Sequence, residues 1–451
     1  MDLADALFST PAMSAVFATA SQVRYMLAFE AELAHAQARL GLIPEAAADA
    51  IEAACSVDGF DVAALCRAAV PAASLAVPLV RELIARVEGD AKRYVHLGAT
   101  SQDAIDTALV LQMRDGFELL ESDLLTLADI CAAQADAHRH TVMAGRTLLQ
   151  QAVPVTFGLK AARWLALMLR QLRALRALRP RVLVVQLGGA AGTLAALGDR
   201  GLDVVDELAA ELGLGAPELP WHAERDRIGD VAARLAVLAG TLGKIALDLT
   251  LLTQTEVGEV AEGAAPGKGA SSAMPQKRNP VDAIEALAAA RLAVAEANGL
   301  LAGLAQEHER AIGAWQAEWS TLPNLFRWTS GALAHVRAAL VDLEVDADRM
   351  RANLEQTHGL IMAESLATVL AATIGREAAH ELVQAATRRV ASSGRTLVDS
   401  VWQDAAIVSA LSGSELERAL DPTANLGSTD RLIDRALASY RREGGGTRVS
   451  R

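Results

Sequence analysis

Apolar positions recur along most of this chain with the spacing of a helix, not that of a strand. Tyr25, Phe29, Leu33 and Leu40 form an early stripe, which Gly41 and Pro44 end. From Asp106 the stripe lengthens: Leu109, Met113, Phe117, Leu120, Leu124, Leu127 and Cys131 share one helical face. Further long helices are predicted from about Phe157 to Leu178 (stopping at Pro180), from about Arg225 to Glu262, from Pro280 to about Arg310, and from about Pro323 to Ala352. No strand-like alternation of comparable quality is present. Several long helices in series imply a bundle. Beyond about Asn353 the elements shorten, with Gly375, Gly394, Gly413 and Pro422 as breaks. The pattern predicts an all-α chain of three helical domains: an N-terminal one over 1–105, a central long-helix bundle over 106–352 and a C-terminal one over 353–451. The glycines from Gly444 to Gly446 and the basic end after them read as a frayed tail.

Composition sharpens this. The chain is 52% hydrophobic and only 4% aromatic, so its apolar content is mostly Ala, Leu and Val. Ala and Leu favour helix. A net charge of -13 without a basic stripe argues against nucleic acid as partner. An anionic substrate must therefore meet a local cluster of cations. Cys55, Cys66 and Cys131 fit neither a disulfide framework nor a common metal site. His138 and His140 stand two apart, on different faces of a helix, and are expected at the surface. No metal is expected. The N-terminus lacks the pattern of a secretory signal. The most apolar stretch, Val231 to Leu252, is interrupted by Arg234, Lys244 and Asp248. It is expected to be a core helix rather than a membrane span, and the compartment to be the cytoplasm.

The segment Gly267 to Pro280, GKGASSAMPQKRNP, carries the clearest chemistry. Small residues open it, so it can flex. Asn279-Pro280 reads as a helix start, with Asn as N-cap, which would turn backbone N–H groups towards the loop. Lys268, Lys277 and Arg278 add positive charge around Ser271 and Ser272. A carboxylate and a deprotonated serine would both be stabilised there. A solvated Gly/Ser loop would look the same by composition alone.

SSAMPQKRNP closely resembles the signature loop of the fumarase/aspartase superfamily. Two further segments, HLGATSQDAID from His96 and GRTLLQQAVP from Gly145, resemble its first and second signature regions in the expected order. NLEQTHGLIMAE from Asn353 and DPTANLG from Asp421 resemble its end domain, so the likeness covers nearly the whole chain. The resemblance implies an enzyme without a cofactor. It acts β to a carboxylate and holds the α-carbanion as an aci-carboxylate. It also implies a homotetramer whose active sites gather segments from different subunits.

Carried over position by position, the resemblance makes Ser271 the proton carrier, with Ser272 its rival. Lys277 and Asn279 would bind substrate carboxylate. Thr100 and Ser101 would contact substrate, as would Thr147 and Gln150, and His96 would donate to a carboxylate. Arg146 and Arg310 are candidates for a third carboxylate. One departure narrows the branch. Many members carry His after the threonine of the second region, where this chain has Leu148. Leucine cannot protonate a leaving group. An intramolecular lactonisation suffers little from that loss, because its nucleophile is an already ionised carboxylate held by its own tether. QLGGAAGTLAALGDRG from Gln186, PWHAERDR from Pro220 and EHERAIGAWQAEWSTLP from Glu307 also look like the bacterial 3-carboxymuconate cycloisomerases. The expected reaction is closure of 3-carboxy-cis,cis-muconate to 4-carboxymuconolactone in protocatechuate catabolism. An adenylosuccinate lyase-like β-elimination and a non-catalytic structural relative stand as alternatives.

Overall fold

The computed structural model describes residues 3–271 and 273–444. Ser272 and the tail beyond Gly444 lie outside the described residues. Five long helices dominate: Ser101–Ala137 (37 residues), Phe157–Val182 (26), Asp226–Leu252 (27), Val281–Ala302 (22) and Ala314–Val341 (28). The stripe from Leu109 to Cys131 is buried at all seven positions, as its spacing predicts. In Asp226–Leu252 the buried residues Val231, Leu235, Leu238, Leu242, Ile245, Leu249 and Leu252 line one face. Arg234 and Lys244 leave that face intact, and Asp248 accepts a hydrogen bond from Trp164 Nε1 at 2.9 Å. Prolines proved weaker stops than expected: Pro180 and Pro323 both lie inside helices. Pro323 thus falls within a helix that begins at Ala314 and ends at Val341, where a start was expected.

The chain clusters into two compact units. One gathers Met1–Asp123, Gln171–Lys244 and Glu285–His335; the other gathers Leu124–Arg170, Ile245–Ile284 and Val336–Arg451. The first is packed around Phe29, Leu33, Leu79, Leu187, Leu208 and Trp315. The second packs the short C-terminal helices around Leu366, Leu370, Val401 and Leu416. There Gly375 and Gly394 take positive φ at the helix breaks, and capping boxes at Thr396/Asp399 and Ser412/Glu415 start new helices.

The second unit also holds an element that the helical reading passed over. Val142–Thr147 and Gln150–Thr156 pair antiparallel as a hairpin, with a register shift between Ala144 and Arg146. A second, two-residue pair joins Val260–Ala261 to Glu344–Val345. The hairpin strands are too short and too irregular for a clean period of two.

Deep in the first unit lies a set of buried charges. Arg225 is held between Asp106 and Glu318, donating to Asp106 Oδ2 at 2.7 Å and to Glu318 Oε1 at 3.1 Å. Trp315 Nε1 donates to Asp106 Oδ1 at 2.9 Å, and its ring meets Trp319 edge-on at 4.9 Å. Burial lowers the Arg225 pKa, but the two carboxylates outweigh that and raise it. Such a cluster adds little net stability as a whole, yet removing one partner strands the others. Arg225→Met is expected to destabilise the fold by about 3–5 kcal/mol, read as a lowered unfolding midpoint in denaturant. A midpoint equal to wild type would show that the two acids do not depend on the guanidinium.

Candidate active site

The described residues singled out in the sequence lie at three places: one in the first unit, and the hairpin and the serine loop in the second. In the first unit His96, Thr100, Ser101 and Arg310 come together. Ser101 opens the helix Ser101–Ala137. Two residues on, Asp103 reaches back, and its Oδ2 accepts the Thr100 N–H at 2.9 Å, the reciprocal half of a capping box. The same carboxylate accepts the N–H groups of Gly188 and Gly189, each at 3.0 Å, and faces His222 Nε2 at 2.6 Å. Asp103 is fully buried and His222 nearly so. One acid thus pins the helix start, a glycine loop and a histidine from three distant stretches of chain. Arg310 completes the cluster, donating to Thr100 Oγ1 at 3.0 Å and to the Ala190 carbonyl at 2.9 Å.

His96 takes a left-handed backbone, φ +60°. For a residue with a Cβ that conformation costs about 1–2 kcal/mol. Its Nδ1 lies 2.6 Å from Oε1 of Glu30, on the helix Thr19–Arg39. Burial lowers the His96 pKa, but the charge and hydrogen bond of Glu30, with the charge of Asp103, outweigh it and the net shift is upward.

In the second unit Thr147 and Gln150 are paired at the end of the hairpin, both exposed. Both lie on strands, Thr147 at the end of Val142–Thr147 and Gln150 at the start of Gln150–Thr156. Between them Leu148 and Leu149 make the two-residue turn with φ of 51° and 65°. Two positive φ values define the type I′ hairpin turn, where Asn-Gly is favoured and leucine is strained. Leu148 is 97% exposed. Arg146, next along the strand, gives both Nη groups to Glu259 at 2.9 and 2.7 Å. Asn353 Nδ2 donates to the same acid at 2.8 Å. Arg146 therefore already holds a buried carboxylate of this chain.

The serine loop departs from expectation at its helix end. Asn279 does not cap Val281–Ala302. Its Nδ2 and its backbone N–H both donate to the Gly269 carbonyl, at 3.2 and 3.0 Å, and so close the loop on itself. A Cβ on Gly269 would stand 2.5 Å from the Asn279 carbonyl oxygen, so only glycine fits there. The cap is Glu262, whose oxygens accept the N–H groups of Asp282 and Ala283 at 3.2 and 2.9 Å. A carboxylate favours a helix N-terminus for the reason an anionic ligand would, and here it occupies that place. Lys268 is likewise engaged, 2.6 Å from Asp282 and 3.6 Å from Glu262. Burial lowers its pKa, but these acids raise it overall. Arg278 pairs with Glu344 at 2.9 Å. Lys277 is exposed and has no ion-pair partner among the described residues, which leaves it as the cation available to a ligand. Ser271 is half-buried, and its Oγ accepts the N–H groups of Met274 and Ala273 at 3.2 and 3.4 Å. Donors so aimed stabilise negative charge on the oxygen. The turn-forming and proton-carrying readings of Ser271 are compatible.

His140 is exposed as expected, while His138 is half-buried, its ring edge-on to Phe157 at 5.3 Å. Glu30, Asp103 and His222 were not singled out in the sequence. Glu30 reads as one more polar position on an amphipathic helix. His222 stood inside a segment matched for its likeness alone, and its partner is 119 residues away.

The His96–Glu30 pair predicts a pH dependence of stability. A raised histidine pKa contributes stability fully present just below the ordinary value of 6.5 and lost as pH rises through the folded-state value. The unfolding midpoint of wild type should fall across that range more steeply than that of Glu30→Gln. Parallel curves would show that the pair adds nothing to stability.

Comparison with known proteins adds the lineage. Residues 7–322 match the lyase family model, and residues 359–436 match that of the adenylosuccinate lyase C-terminus. A 3-carboxy-cis,cis-muconate cycloisomerase of Pseudomonas aeruginosa is 49% identical over 97% of this chain and 96% of its own. A nitrosuccinate lyase of Streptomyces davaonensis is 44% identical over 95% and 92%. The crystal structure of the 3-carboxy-cis,cis-muconate lactonizing enzyme from Pseudomonas putida superposes with a TM-score of 0.93 at 46% identity, covering 98% of this chain and 99% of that one. With its all-α fold, its serine loop and a family match over most of its length, this chain belongs to the lyase family of the fumarase/aspartase superfamily.

Proposed function

We propose that this enzyme is a 3-carboxy-cis,cis-muconate cycloisomerase, closing its substrate to 4-carboxymuconolactone in protocatechuate catabolism. The observation that carries the reading is likeness at 49% identity over nearly the full length of a relative of that name. The geometry is compatible with it. A substrate carboxylate adds to the ring-closing carbon as the C–O bond forms. The π electrons move to the carbon α to another carboxylate, which holds them as an aci-carboxylate. That carbon then takes a proton from Ser271 Oγ, whose remaining charge is met by the N–H groups of Met274 and Ala273. Lys277 and His96 supply positive charge for carboxylates, and Arg310 is favoured over Arg146 for the third. Asn279, Thr100, Ser101, Thr147 and Gln150 are proposed as polar contacts, and Ser272 remains the rival proton carrier. No leaving group departs, so the leucine at 148 costs the reaction nothing. We retain the division at 1–105, 106–352 and 353–451 as the domain reading, and the cytoplasm as the compartment.

The same reading includes a homotetramer with shared active sites. Its support is apolar surface that a lone chain leaves in water. Leu148 and Leu149 stand out at the hairpin tip, and Ile284, Leu292, Val294 and Leu301 are exposed on the helix Val281–Ala302. Large apolar side chains left in water at a hairpin tip and along one helix are surface that a partner chain would cover.

The test follows loss of the diene's ultraviolet absorbance on adding purified protein with a chelator present. Wild type should consume 3-carboxy-cis,cis-muconate, and Ser271→Ala should lower kcat at least about a hundredfold. Cleavage of nitrosuccinate or adenylosuccinate without loss of the diene would replace cycloisomerisation with β-elimination. Silence towards all three acids would favour a non-catalytic relative.

A further inference from the structure

Glu30 is out of place by packing alone. It is 2% exposed, on a helix whose buried face is otherwise mostly apolar: Met26, Leu27, Phe29 and Leu33. Its Oε1 meets His96 Nδ1 at 2.6 Å, while Oε2 is buried with no hydrogen-bond partner. A half-satisfied buried carboxylate is costly, and a plain core position would be filled better by an apolar side chain. Its sole ion-pair partner among the described residues is His96, in the segment that leads into Thr100 and Ser101. The His96 side chain is 17% exposed, so part of the ring is uncovered. The other charge bearing on it is Asp103, from the start of the helix Ser101–Ala137. Cys55, close to Glu30, is kept a neutral thiol because burial pushes its pKa up to about 12.

The chemistry of the ring gives this pair a purpose. With Nδ1–H directed at Glu30, a neutral imidazole has Nε2 as a bare acceptor, which repels a carboxylate. Protonation turns the same Nε2 into a charged donor. A carboxylate behind the ring therefore both fixes its orientation and favours the form that binds an anion. We propose that Glu30 is a positioning residue of the active site: it grips His96 through Nδ1 and keeps the ring an imidazolium, so that Nε2 is a cationic donor to one substrate carboxylate. The proposal deepens the reading of the substrate as a polycarboxylate and rests on it.

Two measurements test it, one of which needs no turnover. In the ligand-free protein, nitrogen-15 imidazole NMR should show His96 titrating above the ordinary histidine range. Glu30→Gln should move that midpoint down by about one pH unit or more. Glu30→Asp, which restores the charge, should recover part of the shift. In steady-state kinetics on 3-carboxy-cis,cis-muconate, wild-type KM should rise as pH passes through the His96 midpoint. In Glu30→Gln that rise should begin at lower pH, with KM about tenfold higher near neutrality and kcat within about twofold. Thermal melts of each variant establish that it is folded. A His96 midpoint unmoved in folded Glu30→Gln would overturn the proposal. So would a loss confined to kcat and thermal stability with KM unchanged, the signature of a merely structural role. A wild type that ignores the muconate but shows the expected shift in NMR would sink the substrate reading and leave the grip of Glu30 on His96 standing.

Discussion

Four hydrogen bonds converge on the buried carboxylate of Asp103, and the geometry of the first unit's site depends on them. The Thr100, Gly188 and Gly189 N–H groups and the His222 ring come from three separate stretches of chain. An acid with no exposure must have such partners, since a buried charge without them is far costlier than the bonds are worth. The constraint runs both ways. Asp103 is held because those donors surround it, and the helix start and the glycine loop keep their places because Asp103 sits between them. Three residues on, Asp106 repeats the arrangement, accepting from Arg225, Trp315 and Gln102. One turn of helix thus carries two buried acids, each tied to a different set of elements, which leaves Thr100, Ser101 and Arg310 little freedom.

The second unit handles charge differently around its serine loop. The loop is rich in cations by sequence, yet its own acids engage most of them. Glu262 caps the following helix and, with Asp282, holds Lys268, while Glu344 holds Arg278. Among the described residues that leaves Lys277 as the loop cation open to a ligand, beside a Ser271 Oγ held by two N–H groups. A loop whose whole positive potential stayed uncompensated would attract any anion. One with most of it neutralised can discriminate by where the remaining donors point.

The hairpin tip shows strain and exposure coinciding. Two leucines occupy a turn that favours Asn-Gly, and one of them is almost wholly in solvent. Neither burial nor turn preference within the chain accounts for them. Burial of the tip in the proposed assembly would account for them.

Much of the architecture was legible in the sequence because helices announce themselves locally. Period and composition sufficed for the buried stripe from Leu109 to Cys131 and for the core helix Asp226–Leu252, since the residues that share a face are only a turn apart. The signature segments were legible for a different reason, their likeness to a family. The hairpin was not legible, because short, bulged strands dilute the period of two. Nor was the cap on Val281–Ala302: Asn279 and Pro280 satisfy the local rule, but Glu262, twenty residues upstream of the first capped N–H, competes for the same donors and wins. Pairs such as Glu30 with His96 and Asp103 with His222 lie 66 and 119 residues apart. The sequence by itself determined the helices, the family and the residue types able to do the chemistry, all of which rest on near neighbours or on contiguous motifs. Only the tertiary structure decided which acid faces which base, because a buried charge is satisfied by whatever folding brings within about 3 Å of it, at any separation along the chain.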